Sequence, residues 1–229
     1  EITGENRIIA WYSEVVKRTA KLMVEWQRVG FVHGVMNTDN MSILGKTIDY
    51  GPYSFVDDYD PNFTPNTTDL PGRRYAFGNQ PSVGYWNLGK LAAALSPLFE
   101  ETEELEAALR TYEKIFWENY YQMMGNKLGL DKVNEEDQKL IGQFEKVLAG
   151  VKPDMTIFYR LLINVPVNIS KDQKILEHFD SAFYTLPNEN QKKVFVDLIQ
   201  NYTERIGHNK ITREASQVMM KLANPKFIL

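Results

Sequence analysis

The chain has 229 residues, 43% hydrophobic and 24% charged, with a formal net charge of −4 and a pI near 5.5. That suits one or two compact soluble domains with a core large enough to need no staples, and it argues against a general binder of nucleic-acid backbones. The absence of cysteine excludes disulfides and Cys-based zinc sites within the chain. No apolar run approaches the roughly 18 residues of a membrane span, and the opening residues Glu1 to Arg7 are too polar for a secretory signal. These absences give a cytoplasmic expectation, with neither membrane nor nucleic acid as partner.

Residues from about Glu5 to Val29 carry apolar side chains at helical spacing, among them Ile8, Tyr12, Val15, Val16, Met23 and Trp26. Gly30 can end that helix in a left-handed conformation. Two short strand-forming segments follow, Phe31-Val32 and Met41-Ser42-Ile43-Leu44. The second, with Gly45-Lys46 and Thr47-Ile48-Asp49-Tyr50, reads as a β-hairpin. From Gly51 to Gly84 five prolines (Pro52, Pro61, Pro65, Pro71 and Pro81) argue for a long functional loop. Beyond it, helices are expected from Trp86 to about Leu98, Thr102 to about Met124, Glu135 to Leu148, Met155 to Ile163, Lys171 to Tyr184, Glu189 to Ile206 and Arg213 to Leu222. The acidic run Glu100 to Glu106 suits a solvated helix start, where negative charge meets the positive end of the dipole. The chain lacks an initiator Met and enters a helix at once, so it reads as a piece of something longer.

The residues richest in chemistry are His33-Gly34-Val35-Met36-Asn37-Thr38-Asp39-Asn40, followed by Asp49-Tyr50-Gly51. They resemble the metal-binding end of a protein-kinase site, H-R-D-x-x-x-x-N and then D-F-G, in which the first Asp takes the substrate proton while the Asn and second Asp hold Mg²⁺. His33, Asn40 and Asp49 fall on the His, Asn and second Asp. Val35 occupies the catalytic Asp position and can neither accept a proton nor bind a metal. Asp39 is the carboxylate available to replace it. The plainer alternative is that Thr38-Asp39-Asn40 makes only a turn with Asx hydrogen bonds. His33 is open to two readings, acid–base catalyst or structural residue, of which the structural one is preferred.

With Gly72-Arg73-Arg74-Tyr75-Ala76-Phe77-Gly78-Asn79-Gln80-Pro81, Trp86-Asn87-Leu88 and the ending Asn224 to Leu229, the run His33 to Gly51 resembles the selenoprotein O (YdiU) family, most strongly over residues 31–91. The resemblance implies a kinase-like fold that binds ATP in a flipped orientation and transfers AMP to Ser, Thr or Tyr hydroxyls of proteins. Carried over by motif, Asp39 would be the catalytic base, Asn40 and Asp49 the ligands of Mg²⁺ (with Mn²⁺ an alternative), and Asp49 also a nucleotide contact. Family members are about twice as long, and the glycine-rich loop and phosphate-gripping lysine of their amino-terminal half find no match here. The expectation is therefore a mainly α kinase-like C-terminal lobe with a short β-hairpin at the metal site. Residues 1–98 would be its core and 99–229 its helical continuation, inactive in isolation. An ordinary kinase with a relocated base and a non-catalytic nucleotide-binding scaffold are the rivals.

Other motifs carry less. Asp58, Asp60 and Asn62 open like an EF-hand loop, but Phe63 stands where the turn needs Gly and Asp69 where it needs Glu. Arg73 and Arg74 could bind phosphate or an acidic substrate, or could anchor the long loop through buried ion pairs. Trp86, Leu91, Leu95, Leu98, Phe116, Trp117, Tyr120 and Tyr121 are expected in the core, and His178 and His208 on the surface.

Overall fold

The computed structural model describes residues 4–169 and 172–226, so the ending Phe227 to Leu229 and the expected helix start at Lys171 lie outside the described residues. The described residues form eight α-helices: α1 (Glu5–Val29), α2 (Gln80–Leu95), α3 (Glu103–Leu128), α4 (Glu135–Val151), α5 (Met155–Leu162), α6 (Asp172–Phe179), α7 (Glu189–Gly207) and α8 (Arg213–Ala223). One two-stranded sheet joins β1 (Phe31–Val32) to β2 (Ser54–Phe55). The mainly α expectation holds, with most helices within a few residues of their expected bounds. The chain divides into two compact units, residues 1–27, 31–54 and 62–120, and residues 28–30, 55–61 and 121–229.

The expected hairpin is absent: residues 41–50 contain no strand. Gly45 N–H bonds the Ser42 carbonyl at 3.1 Å and closes a tight turn. Gly45 has φ +65°, and a Cβ there would lie 2.8 Å from Arg18 Cβ, so only glycine lets the turn lie against α1. The Thr47 hydroxyl accepts from Trp26 Nε1 at 2.9 Å and the Ile48 carbonyl from His33 Nε2 at 2.8 Å. Polar groups that a hairpin would pair across strands are satisfied here by side chains, and period-2 patterning does not reveal that.

In the first unit, α1 buries the face carrying Tyr12, Val16, Ala20 and Met23. Tyr12 hydroxyl donates to the Leu88 carbonyl on α2 at 3.0 Å, and Tyr112 hydroxyl donates to Pro81 at 2.7 Å. Pro81, read as a loop breaker, lies in the first turn of α2, where a missing N–H costs nothing. A Cβ at Gly84 would come within 3.1 Å of Met23 and 3.2 Å of the Tyr112 hydroxyl, so this glycine sets how closely the helices approach.

The second unit is built around Phe144, Phe158, Phe179, Phe195 and Tyr202, all fully buried. Phe158 stacks on Phe179 at 5.3 Å between ring centres, and Phe144 meets Tyr202 edge-on at 5.6 Å. Reciprocal capping boxes start α4 (Asn134 with Asp137) and α7 (Asn188 with Gln191). Arg205 on α7 pairs with Asp137 and Asp131. His178 is half-buried rather than a surface residue, because its Nε2 donates to the Leu161 carbonyl near the end of α5 at 2.9 Å. His208 is exposed.

Lys127 is fully buried in this unit, its ammonium donating to the Arg28 carbonyl at 2.9 Å and lying 3.9 Å from the centre of the Tyr159 ring. Burial, and then the positive charge of Arg28, bring its pKa down to about 7. The unfolded chain therefore binds more protons between about pH 7 and the ordinary lysine value, and stability rises with pH in that window by at most about 1.4 kcal/mol per unit. Above about pH 10 the buried phenols of Tyr12, Tyr59, Tyr112, Tyr159 and Tyr202, all raised by burial, reverse the trend. Urea midpoints taken from about pH 7 to about pH 9.5 should climb for the native sequence and stay level for Lys127→Met. An identical climb in the variant would remove Lys127 from the linkage.

Candidate functional site

The candidate site is an irregular loop, residues 33–50, whose backbone is held by side chains. Three asparagines take three consecutive carbonyls. Asn66 Nδ2 donates to Gly34, Asn40 Nδ2 to Val35 and Asn87 Nδ2 to Met36, each at 3.0 Å. The next carbonyl, Asn37, accepts the Asn40 N–H at 3.0 Å and closes the 3₁₀ turn Thr38–Asn40. Tyr75 hydroxyl fixes the Asn37 side chain at 2.7 Å. Gly34 has φ +80°, and a Cβ would sit 2.7 Å from the Pro52 carbonyl oxygen, so no other residue fits without displacing backbone.

Gln80, with no exposed surface, anchors the start of the loop. Its Oε1 accepts from His33 N–H at 2.9 Å, and its Nε2 donates to the Phe31 carbonyl at 2.8 Å. The His33 ring is buried and committed on both sides: Nε2 donates to Ile48, and Nδ1 accepts the Val35 N–H at 3.4 Å. That is the structural role preferred from sequence. It ties the segment carrying Asp49 to the one carrying Asp39 and Asn40.

Against this restrained backbone the candidate carboxylates are free. Asp39 and Asp49 are exposed, and among the described residues neither carboxylate takes a hydrogen bond. Asp49 has φ +53°, an uncommon conformation for a residue other than glycine, held by the Ile48 bond on one side and by Gly51 N–H to the Asp49 carbonyl at 2.8 Å on the other. Asn40 spends its amide nitrogen on Val35 and leaves Oδ1 available as a ligand. One amide oxygen and one or two carboxylates are the hard-oxygen donors that suit Mg²⁺, which usually completes its shell with phosphate and water. Among the described residues no group of three or more His, Cys, Asp or Glu side chains is placed to hold a metal by itself.

The long loop is organised by Asp69, whose carboxylate accepts the N–H groups of Arg74 and Tyr75, each at 2.9 Å, and the Thr64 hydroxyl at 3.2 Å. Arg73 and Arg74 are exposed, so anchoring by buried ion pairs is set aside. Trp86 is 43% exposed, Leu98 56% and Trp117 44%, against the core expectation; Phe116 and Tyr120 are buried as expected. A cavity of about 290 Å³ lies beside the Thr38–Asn40 turn, lined by Val15, Thr19, Thr38, Met41, Ile43, Asn87, Leu88, Lys90 and Leu91 among others. Asn87 Oδ1 is buried and takes no hydrogen bond among the described residues.

The family model described as protein adenylyltransferase SelO matches residues 1–229. The chain is 54% identical over 229 residues to the protein nucleotidyltransferase YdiU of Cytophaga hutchinsonii, covering all of this chain and 44% of that protein. It is 44% identical over 228 residues to the protein of that name from Xanthomonas campestris and 42% identical over 233 residues to that from Xanthomonas oryzae, covering 99% of this chain and 43% of each relative. The chain belongs to the SelO family and spans less than half the length of these relatives.

Gln80, Asn66, Asn87, Tyr75 and Asp69 were not singled out as site residues from sequence, although all but Asn66 and Asp69 fall inside the segments that carry the family resemblance. Gln80→Leu leaves a buried N–H and a buried carbonyl unpaired, so it should destabilise the protein by roughly 2–4 kcal/mol and lower the urea midpoint accordingly. A loss under about 0.5 kcal/mol would mean that the clamp is not what holds the loop.

Proposed function

We propose that this chain forms the metal-binding and proton-accepting part of an Mg²⁺- and ATP-dependent protein adenylyltransferase with a kinase-like C-terminal lobe, moving AMP to Ser, Thr or Tyr hydroxyls of proteins. The observation that carries the reading is the contrast within the loop. Its backbone is held by three side-chain amides, while among the described residues nothing takes up the oxygens of Asp39 and Asp49 or Asn40 Oδ1. Such preorganisation is what a charge-stabilising site requires. Family membership supports nucleotidyl transfer as the chemistry.

In this reading Asn40 and Asp49 would hold Mg²⁺, or Mn²⁺, which neutralises charge on the phosphates when bound. Asp39 accepts the proton of the substrate hydroxyl. As the hydroxyl oxygen bonds to the α-phosphorus, the bond from that phosphorus to the pyrophosphate oxygen breaks, and pyrophosphate leaves. Val35 contributes only its backbone, its carbonyl orienting Asn40. Asp39 and Asn40 are consecutive in one 3₁₀ turn, so base and ligand are positioned together.

A full-length family protein containing this segment, given ATP labelled at the α- or γ-phosphate, should pass only the α label to protein. Label from the γ position alone would make it a kinase with a relocated base, and neither label would leave a nucleotide-binding scaffold. Asp39→Ala should lower turnover by about 10²- to 10⁴-fold while sparing Mg²⁺–ATP binding; Asp49→Ala should abolish metal-dependent nucleotide binding. Unchanged turnover in the first, or normal affinity in the second, would overturn that residue's role. Calorimetry on the 229-residue chain by itself should detect weak ATP binding or none.

A further inference from the structure

Arg74 and Lys90 both lie against one exposed ring. The Arg74 guanidinium lies 4.5 Å from the centre of the Trp86 ring and the Lys90 ammonium 4.8 Å from it, with Arg74 also 5.8 Å from the centre of Tyr75. Both cations are exposed, and among the described residues neither has a carboxylate partner. The nearby Asp69 does not serve, since its oxygens are spent on the N–H groups of Arg74 and Tyr75 and on Thr64. Bringing two like charges to one ring costs repulsion that an exposed cation–π contact only partly offsets, and an anion bound beside that ring relieves it.

The position of the pair relates it to the reaction. Tyr75, under Arg74, bonds Asn37, two residues before Asp39. Lys90 lines the same cavity as Thr38, which adjoins Asp39. We infer that Arg74 and Lys90, both against the Trp86 ring, bind an Asp or Glu side chain of the protein substrate close in sequence to the hydroxyl that is modified. The inference rests on the reading that Asp39 receives that hydroxyl. Trp86 gathers the two cations at one ring and offers apolar surface to the aliphatic part of the acidic residue, and Arg supplies a planar fork suited to a carboxylate. The surface thereby selects among substrate segments by charge, the part of recognition that electrostatic complementarity governs best.

The test uses a full-length family protein containing this segment and three fluorescent peptides that share one Ser, Thr or Tyr hydroxyl but carry Glu, Gln or Lys beside it. Binding is read by anisotropy, transfer by α-label incorporation, and KM for ATP is measured alongside. The Glu peptide should be favoured over the Gln peptide by roughly three- to tenfold in affinity and in kcat/KM. The double variant Arg74→Glu, Lys90→Glu should invert the order in favour of the Lys peptide while KM for ATP stays within about twofold. That gain for the Lys peptide cannot arise from misfolding. Equal affinity of the native protein for all three peptides would overturn the inference, as would a rise in KM for ATP with peptide preference unchanged, which would give these cations to the nucleotide phosphates. If the Glu peptide binds preferentially and the variant inverts that preference, yet no α label is transferred, the acidic docking site stands and the adenylyl-transfer reading fails.

Discussion

Three asparagine amides on three consecutive carbonyls are the constraint on which the candidate site depends. A chain segment with no helix and no ladder must still satisfy its polar groups wherever water is excluded. Between Gly34 and Asn37 each carbonyl has one donor, supplied by Asn66, Asn40, Asn87 and the Asn40 N–H in turn. The donors come from the 3₁₀ turn itself, the long loop and α2. The loop therefore has the conformation that several separate elements jointly allow, which is how an irregular backbone acquires the rigidity of a regular one.

Gln80 and His33 extend the same device in opposite directions. Gln80 bonds β1 on its Phe31 carbonyl and the loop on its His33 N–H, so the buried end of α2 fixes where the loop begins. His33 then hands the constraint on to Ile48, the residue before Asp49. The unusual backbone of Asp49 can persist because its neighbours are over-determined in this way. Asp49 thus joins an uncommon backbone conformation to an exposed carboxylate, and among the described residues nothing uses its side-chain oxygens or those of Asp39.

Helices were legible in the sequence because their signals are local: the apolar stripe of α1, Gly30 after it and the acidic start of α3 all act within a few positions of themselves. The candidate residues Asp39, Asn40 and Asp49 were legible as chemical types at a known spacing. The false hairpin shows the limit. Met41 to Tyr50 has strand formers around a Gly-Lys pair, but its partners are Trp26, His33 and Arg18, and nothing in the segment announces them. Asn66 and Asn87 were missed for the same reason, being 32 and 51 residues from the carbonyls they hold. Trp86 was misplaced because a large aromatic at helical spacing normally means core, whereas here the ring stays exposed with two cations against it.

Val35 brings these threads together. At the position where a kinase-type loop carries its catalytic carboxylate, this chain has a half-buried apolar side chain whose N–H and carbonyl are both in use. A carboxylate there would have to be desolvated beside the His33 ring, at a cost that grows with burial. The acidic group stands instead at Asp39, exposed and immediately before Asn40, whose amide bonds Val35. Position 35 therefore contributes backbone alone, and the carboxylate that the proposed reaction needs is supplied four residues along the loop, where it stays in water.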